Sequence, residues 1–157
     1  MSKWRPHTTG LVVSGLLLIL VALVVSYMYR NFQPATEVRL GSGVFAVQLA
    51  TTDEARIRGL SGVDTIDANG GLLMIFPNDA KWGIWMKDMK VPLDIIWMNN
   101  DKKVIYIVKD ALQDLGTSKT FHPDDPARYV LEVPAGMVKN AGIKIGLVAT
   151  FQLRKEE

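Results

Sequence analysis

WGIWMKDMKVPLDIIW, residues Trp82 to Trp97, carries three of the four tryptophans in the 157-residue chain. Lys87, Asp88, Lys90 and Asp94 are interleaved with those rings. Large rings must be buried while charges stay beside them, which is costly unless the charges find partners. The second half of the stretch, Leu93 to Met98, is an apolar run introduced by Pro92. With Lys103 to Val108 and the intervening Asn99-Asn100-Asp101-Lys102 it has the chemistry of a β-hairpin. The organising segment is therefore part of a sheet, and the rest of the chain reads accordingly.

Towards the N-terminus, Val38 to Ala50 reads as two short strands about the turn Gly41-Ser42-Gly43. Thr51 and Glu54 have capping-box spacing, Asp53 suits a positive helix start, and Gly59 ends a helix that runs to about Arg58. Ser61 to Gly71, with three glycines and two aspartates, is a loop, and Leu72 to Phe76 is a buried strand closed by Pro77-Asn78-Asp79. Towards the C-terminus, Asp110 to Ala127 is a long polar loop of the kind that often carries function. Arg128 to Val133 is a strand, Pro134 opens a short helix closed near Gly142, and Leu147 to Leu153 is a last strand. The expected class is mainly β, a β-rich α+β domain over residues 38–154: a compact sandwich or barrel of short, mostly antiparallel strands with two short helices.

Ahead of the domain, Leu11 to Tyr29 is 19 residues without a charge. As a helix it would span roughly 28 Å, close to the hydrocarbon core of a bilayer, so it reads as an N-terminal transmembrane helix. A basic tail, residues 1–10, precedes it and a linker, 30–37, follows. A cleaved signal peptide is the competing reading, but the run exceeds the usual apolar core and ends in Tyr27-Met28-Tyr29 rather than a small-x-small site. Lys3 and Arg5 against Arg30 place the N-terminus in the cytoplasm, giving a single-pass protein of the cell membrane with an extracytoplasmic domain. Three of the 18 basic residues and none of the 16 acidic ones fall in residues 1–30, leaving 15 against 16 and a net of −1. That balance lacks the basic footprint of a nucleic-acid binder. The absence of cysteine excludes thiol nucleophiles, disulfides and thiolate metal sites, and no cofactor is expected.

Several separated motifs align: Glu54-Ala-Arg56-Ile-Arg58-Gly59-Leu60, Gly71-Leu72-Leu73-Met74-Ile75-Phe76, Trp85-Met86-Lys87 with Pro92-Leu93-Asp94, Tyr129-Val-Leu131-Glu132 with Gly136, and Gly142-Ile143-Lys144-Ile145-Gly146. In this order they resemble the bacterial and archaeal family called domain of unknown function 192, over about residues 38–153. The resemblance implies a compact β-rich fold with short helices, often behind an export signal or anchor, and implies no activity. Asp88 stands where the family tends to have asparagine, and Leu147 where an acid commonly follows the last glycine.

Asp94, an ionisable group in an apolar strand, is a candidate general acid or base; its bland alternative is a carboxylate that caps nearby backbone N–H groups. Lys87 either pairs with Asp94, stacks on a tryptophan, or meets a ligand anion. Trp82, Trp85, Met86, Lys87, Asp88 and Asp94 form a candidate ligand surface, although aromatic rings more often fill a core. Arg56, Arg128 and Glu132 are charges in apolar surroundings, and Glu132, on the side of its strand that carries Val130, calls for a buried ion pair with one of the arginines. His122 with Asp124 and Asp125 is a weak metal candidate, since two aspartates between prolines are also turn chemistry. These features favour an extracytoplasmic binding or accessory module of the cell envelope, meeting an envelope ligand or protein partner through Trp82–Asp94 and the 110–127 loop. The alternatives are a carboxylate-dependent, hydrolase-like enzyme centred on Asp94 and a purely structural domain.

Overall fold

The structure, a computed structural model, describes residues 14–23 and 36–153. Two units separate at residue 34. In the first, residues 14–23 form a helix, α1, whose leucines face outward. Among the described residues no helix is long and apolar enough to cross a membrane. The remaining parts of the stretch 11–29, with the basic tail and most of the linker, lie outside the described residues, so the spanning helix stays an expectation.

The second unit is the β-rich domain. Its strands are β1 (Thr36–Leu40), β2 (Gly43–Ala50), β3 (Gly70–Ala80), β4 (Ile84–Met86), β5 (Leu93–Met98), β6 (Val104–Ala111), β7 (Gly116–Phe121) and β8 (Ala127–Pro134). Helix α2 (Asp53–Arg58) joins β2 to β3, and α3 (Met137–Asn140) follows β8. Six strands form one sheet in the order β1-β2-β3-β8-β5-β6, and β4 pairs with β7 in a second, two-stranded sheet. The large sheet is mixed, because β2 and β3 run parallel while every other neighbouring pair is antiparallel. A parallel pair needs a crossover, and α2 with the loop after it supplies one.

Both faces of this sheet are covered. All six residues of β5 are buried, the pattern of a strand sandwiched between two apolar layers rather than one with a wet side. One layer gathers Phe45, Leu73, Ile96, Leu131, Val133 and, from the C-terminal region, Val138, Ile143 and Phe151. The other gathers Leu72, Met74, Phe76, Ile95, Trp97 and Val130 with Ile84, Met86 and Phe121 of the small sheet. Period-two alternation assigns neighbours along β8 to opposite layers, which puts Glu132 in the second layer beside Val130.

Three expectations are corrected. The stretch 110–127 is not a structureless loop: it completes β6, makes a single 3-10 turn at Gln113–Leu115, and forms β7, whose Thr120 and Phe121 pair with Trp85 and Ile84. Gly116 to Phe121 is polar because four consecutive residues of β7, Thr117 to Thr120, face solvent. Strand β3 does not stop at Pro77 but runs on to Ala80; its ladder to β8 lapses between Ile75 and Ala80, where the missing N–H of proline costs nothing. Leu147 to Leu153 forms isolated bridges rather than a strand. Those bridges are informative: Ala149 N–H donates to Lys102 O, Val104 N–H to Leu147 O, and Arg39 and Thr150 exchange a reciprocal pair of bonds. The segment thus hydrogen-bonds to β1 and to the start of β6, the two edges of the six-stranded sheet.

Candidate functional site

Glu132 lies opposite Leu72 of β3 and Ile95 of β5, in the middle of the sheet, and is 3% exposed. Among the described residues its Oε2 has no hydrogen-bond partner. Burial pushes the carboxyl up from 4.5 to about 8, so it carries its proton at neutral pH. The space above it is left by the end of α2. Thr52 caps that helix by accepting from Ala55 N–H, and Gly59 ends it at φ 52°. A side chain at Gly59 would place its first carbon 3.8 Å from Glu132 Oε2, in ordinary van der Waals contact, so the end of α2 lies close beside the carboxyl.

That cavity measures about 350 Å³ and is lined by Asp53, Arg56, Ile57, Arg58, Gly59, Leu60, Ser61, Met74, Phe76, Trp82, Gly83, Ile84, Trp85, Met89 and Glu132. Its walls are mainly apolar and aromatic. Phe76 and Trp82 stack with centroids 4.4 Å apart and planes 12° apart, and Trp82 Nε1 is fixed to Asn78 O at 3.0 Å. Trp85 stays 41% exposed although it belongs to β4. Ile57, on the solvent side of α2, is 62% exposed. Small-molecule sites have this make-up, an apolar pocket with few convergent polar groups.

Arg56 does not pair with Glu132, contrary to expectation. One guanidinium nitrogen donates to the carbonyls of Thr51 at 2.5 Å and Ile75 at 2.6 Å, the other to Asp53 at 2.6 Å, and the group sits 5.4 Å from the Phe76 ring centroid. These three bonds hold the helix start against β3 and turn the guanidinium away from β8. Arg128 likewise pairs with Asp79, at 2.6 Å. Both arginines make ion pairs, but among the described residues the buried carboxylic acid of the cleft is left without a cation.

Asp94 is buried on the opposite face, away from the cavity. Its Oδ1 accepts from Asp110 N–H at 2.9 Å and its Oδ2 from Val138 N–H at 2.7 Å, so it ties the end of β6 and the start of α3 to β5. Trp97 and Met86 are fully buried, and Trp97 Nε1 donates to Trp82 O at 2.9 Å. Lys87 is exposed, and its carbonyl accepts from the Ser61 hydroxyl. Asp88 has φ 54°, a left-handed conformation that asparagine and aspartate tolerate better than other side chains, and its carbonyl accepts from Gly62 N–H. The backbone at this position suits aspartate and asparagine alike. His122 is exposed, with Nδ1 3.3 Å from Lys81 O. Among the described residues no three His, Asp or Glu side chains converge as a metal site. Of the residues singled out as site candidates from the sequence, Trp82, Trp85, Arg56 and Glu132 are brought together; Ile57, Met74, Phe76 and Met89, which stood in the quoted motifs and stretch but were not site candidates, complete the cleft.

Fold and cleft define a small mixed-sheet domain with an aromatic pocket over a buried carboxyl. The chain belongs to the DUF192 family, described as Uncharacterized ACR, whose model matches residues 36–151. It is similar to a UPF0127 protein of Thermococcus gammatolerans, with 27% identity over 116 residues that cover 71% of this chain and 69% of that one. Among solved structures it is similar to a protein of unknown function from Novosphingobium aromaticivorans, at 25% identity and a TM-score of 0.68, covering 74% of this chain and 83% of that one. A chain from Sinorhizobium meliloti 1021, named as a putative transcription regulator, is similar at 26% identity and a TM-score of 0.70, covering 74% and 92%.

Proposed function

We propose that the chain is a membrane-anchored binding module whose domain lies outside the cytoplasm and captures a small organic ligand of the cell envelope in the cleft between α2 and the Trp82–Met89 segment. The observation that carries this reading is the Glu132 oxygen, buried and, among the described residues, without a hydrogen-bond partner beside an aromatic-walled cavity. Burying a polar atom unsatisfied costs about 1–3 kcal/mol, which a ligand reaching it would relieve. The anchor rests on the uncharged stretch Leu11 to Tyr29 and the orientation on Lys3 and Arg5. With a domain charge near zero, nucleic acid is outside the proposal.

The test is a thermal-shift and tryptophan-fluorescence screen of small organic compounds, sugars and envelope fragments on the wild type and on Trp85→Ala. A ligand at about 100 times its dissociation constant adds roughly 2.7 kcal/mol to stability. A shift that disappears in Trp85→Ala supports the reading, whereas no shift from any compound refutes it in favour of a structural domain or a protein partner. A second reading is favoured by one observation. A carboxyl held near 8 can deliver a proton at neutral pH, so the carboxylate-dependent enzyme remains as an alternative, with Glu132 in the place first given to Asp94. Turnover of a cleft ligand, lost in Glu132→Gln while binding persists, would decide for it.

A further inference from the structure

We infer that the cleft is built for an organic ammonium, a cationic nitrogen on an apolar body, with the charge set against Glu132 and the body against Trp82 and Trp85. The inference rests on the cleft-binding reading and adds the chemical class of the ligand.

The polar inventory of the cavity is short. Besides Glu132 the charged groups facing it are Asp53, Arg56 and Arg58, all from α2; β3, β4 and β8 bring no other. Arg56 is held by two carbonyls and by Asp53, so that pair is internally balanced. Arg58 is exposed at the rim, where solvent screens it. The Ser61 hydroxyl is already given to Lys87 O. Phe76 is already covered by Trp82 and Arg56, so a ligand entering the cleft finds one buried carboxyl and the rings of Trp82 and Trp85.

Those two features select for positive charge. Ring faces carry the negative lobe of the quadrupole and attract cations, most strongly in tryptophan. The cleft already shows this preference, since the Arg56 guanidinium lies over Phe76. An anionic ligand would meet repulsion from the ring faces and, above about pH 8, from the ionised Glu132. A sugar would require several buried hydrogen-bonding side chains, and among the described residues Glu132 is the buried one left unsatisfied.

Binding a cation also moves a proton. In the empty cleft burial keeps Glu132 neutral, at about 8. A cation in contact favours the carboxylate, so the carboxylic acid and the ammonium give a carboxylate–ammonium pair, and the proton passes to the buffer. For an ammonium that does not itself titrate, affinity rises about tenfold per pH unit while the free carboxyl is protonated and levels off above about pH 8.

The experiment uses the full-length protein and three probes of similar shape: benzyltrimethylammonium, its uncharged carbon isostere neopentylbenzene, and the anion phenylacetate. Binding is followed by tryptophan fluorescence from about pH 5 to 9, and protons are counted by calorimetry in two buffers of different ionisation heat. The expected result is binding of the ammonium alone, strengthening about tenfold per unit towards pH 8, with one proton released. Glu132→Gln should abolish the pH dependence and weaken binding at least about tenfold at high pH, while Trp85→Ala weakens binding and keeps the slope. If Glu132→Gln does not fold, the wild-type slope and proton count decide. Tighter binding of the neutral or anionic probe, or a flat slope, overturns the ammonium assignment and leaves cleft binding standing. Binding of none of the three overturns the assignment too, and the wider screen then judges the cleft.

Discussion

Replacing Glu132 by glutamine exchanges a buried carboxylic acid for an uncharged group of nearly the same shape, and the consequence is a change in how stability depends on pH. The carboxyl titrates near 4.5 in the unfolded chain and near 8 in the folded one. Between those values the unfolded chain has released a proton that the folded chain retains, so stability falls as pH rises, by about 1.4 kcal/mol per unit. The full contribution is present below about pH 4.5, and its loss is complete above about pH 8, amounting to about 5 kcal/mol across the window. Glutamine removes this dependence but leaves an amide to be satisfied, at about 1–3 kcal/mol. Wild type should therefore be the more stable of the two near pH 5, and Glu132→Gln the more stable by about 2–4 kcal/mol above pH 8. Urea unfolding followed by tryptophan fluorescence at a series of pH values measures both curves. Parallel curves between pH 5 and 8 would refute the argument, because they would mean that Glu132 has found a partner that holds its charge.

Three further outcomes follow from the packing. Asp94→Asn turns one acceptor oxygen into an N–H₂ facing either Asp110 N–H or Val138 N–H, and should cost about 2–3 kcal/mol in thermal or chemical unfolding. Gly71→Ala would drive its methyl group into the Glu132 carbonyl oxygen, and is expected to cost about 3 kcal/mol; Gly70→Ala, whose nearest neighbour is 3.2 Å away, should be milder in the same assay. Arg56→Lys cannot reach Thr51 O, Ile75 O and Asp53 together, and should lower stability by about 2 kcal/mol and raise amide hydrogen exchange in α2.

The hairpin β5–β6 was legible because its signal is local. Asn99 Oδ1 accepts from Asp101 N–H and Lys103 N–H, so the turn is written in the side chain that makes it. The turn between β1 and β2 and the glycine stop of α2 are of the same kind, whereas the cap fell on Thr52 rather than Thr51 because adjacent threonines offer the same hydroxyl one residue apart. The parallel β2–β3 pairing is a contact across a crossover and has no local signature. Strand β7 hid behind Thr117, Ser118, Lys119 and Thr120, whose exposure makes a strand look like a loop. At the cleft, the tryptophan-rich stretch was legible as large side chains set among charges, but not which of those side chains would be core: Trp97 and Met86 went inside and Trp85 stayed out. For Glu132 the alternation of β8 identified the correct face and charge alone suggested an arginine partner. The donors of Arg56 had nearer carbonyls to satisfy, a fact of three-dimensional reach that spacing along the chain does not contain.

The C-terminal segment that bonds to both β1 and β6 has a consequence for solubility. Sheet edges present unpaired N–H and C=O groups that recruit other chains. Here Arg39 on one edge and Lys102 and Val104 by the other spend their backbone groups on residues 147–150. A chain cut short at residue 145 would lose one seam and bare two templates at once, so its failure should be self-association through exposed strands before any loss of the Glu132 cleft.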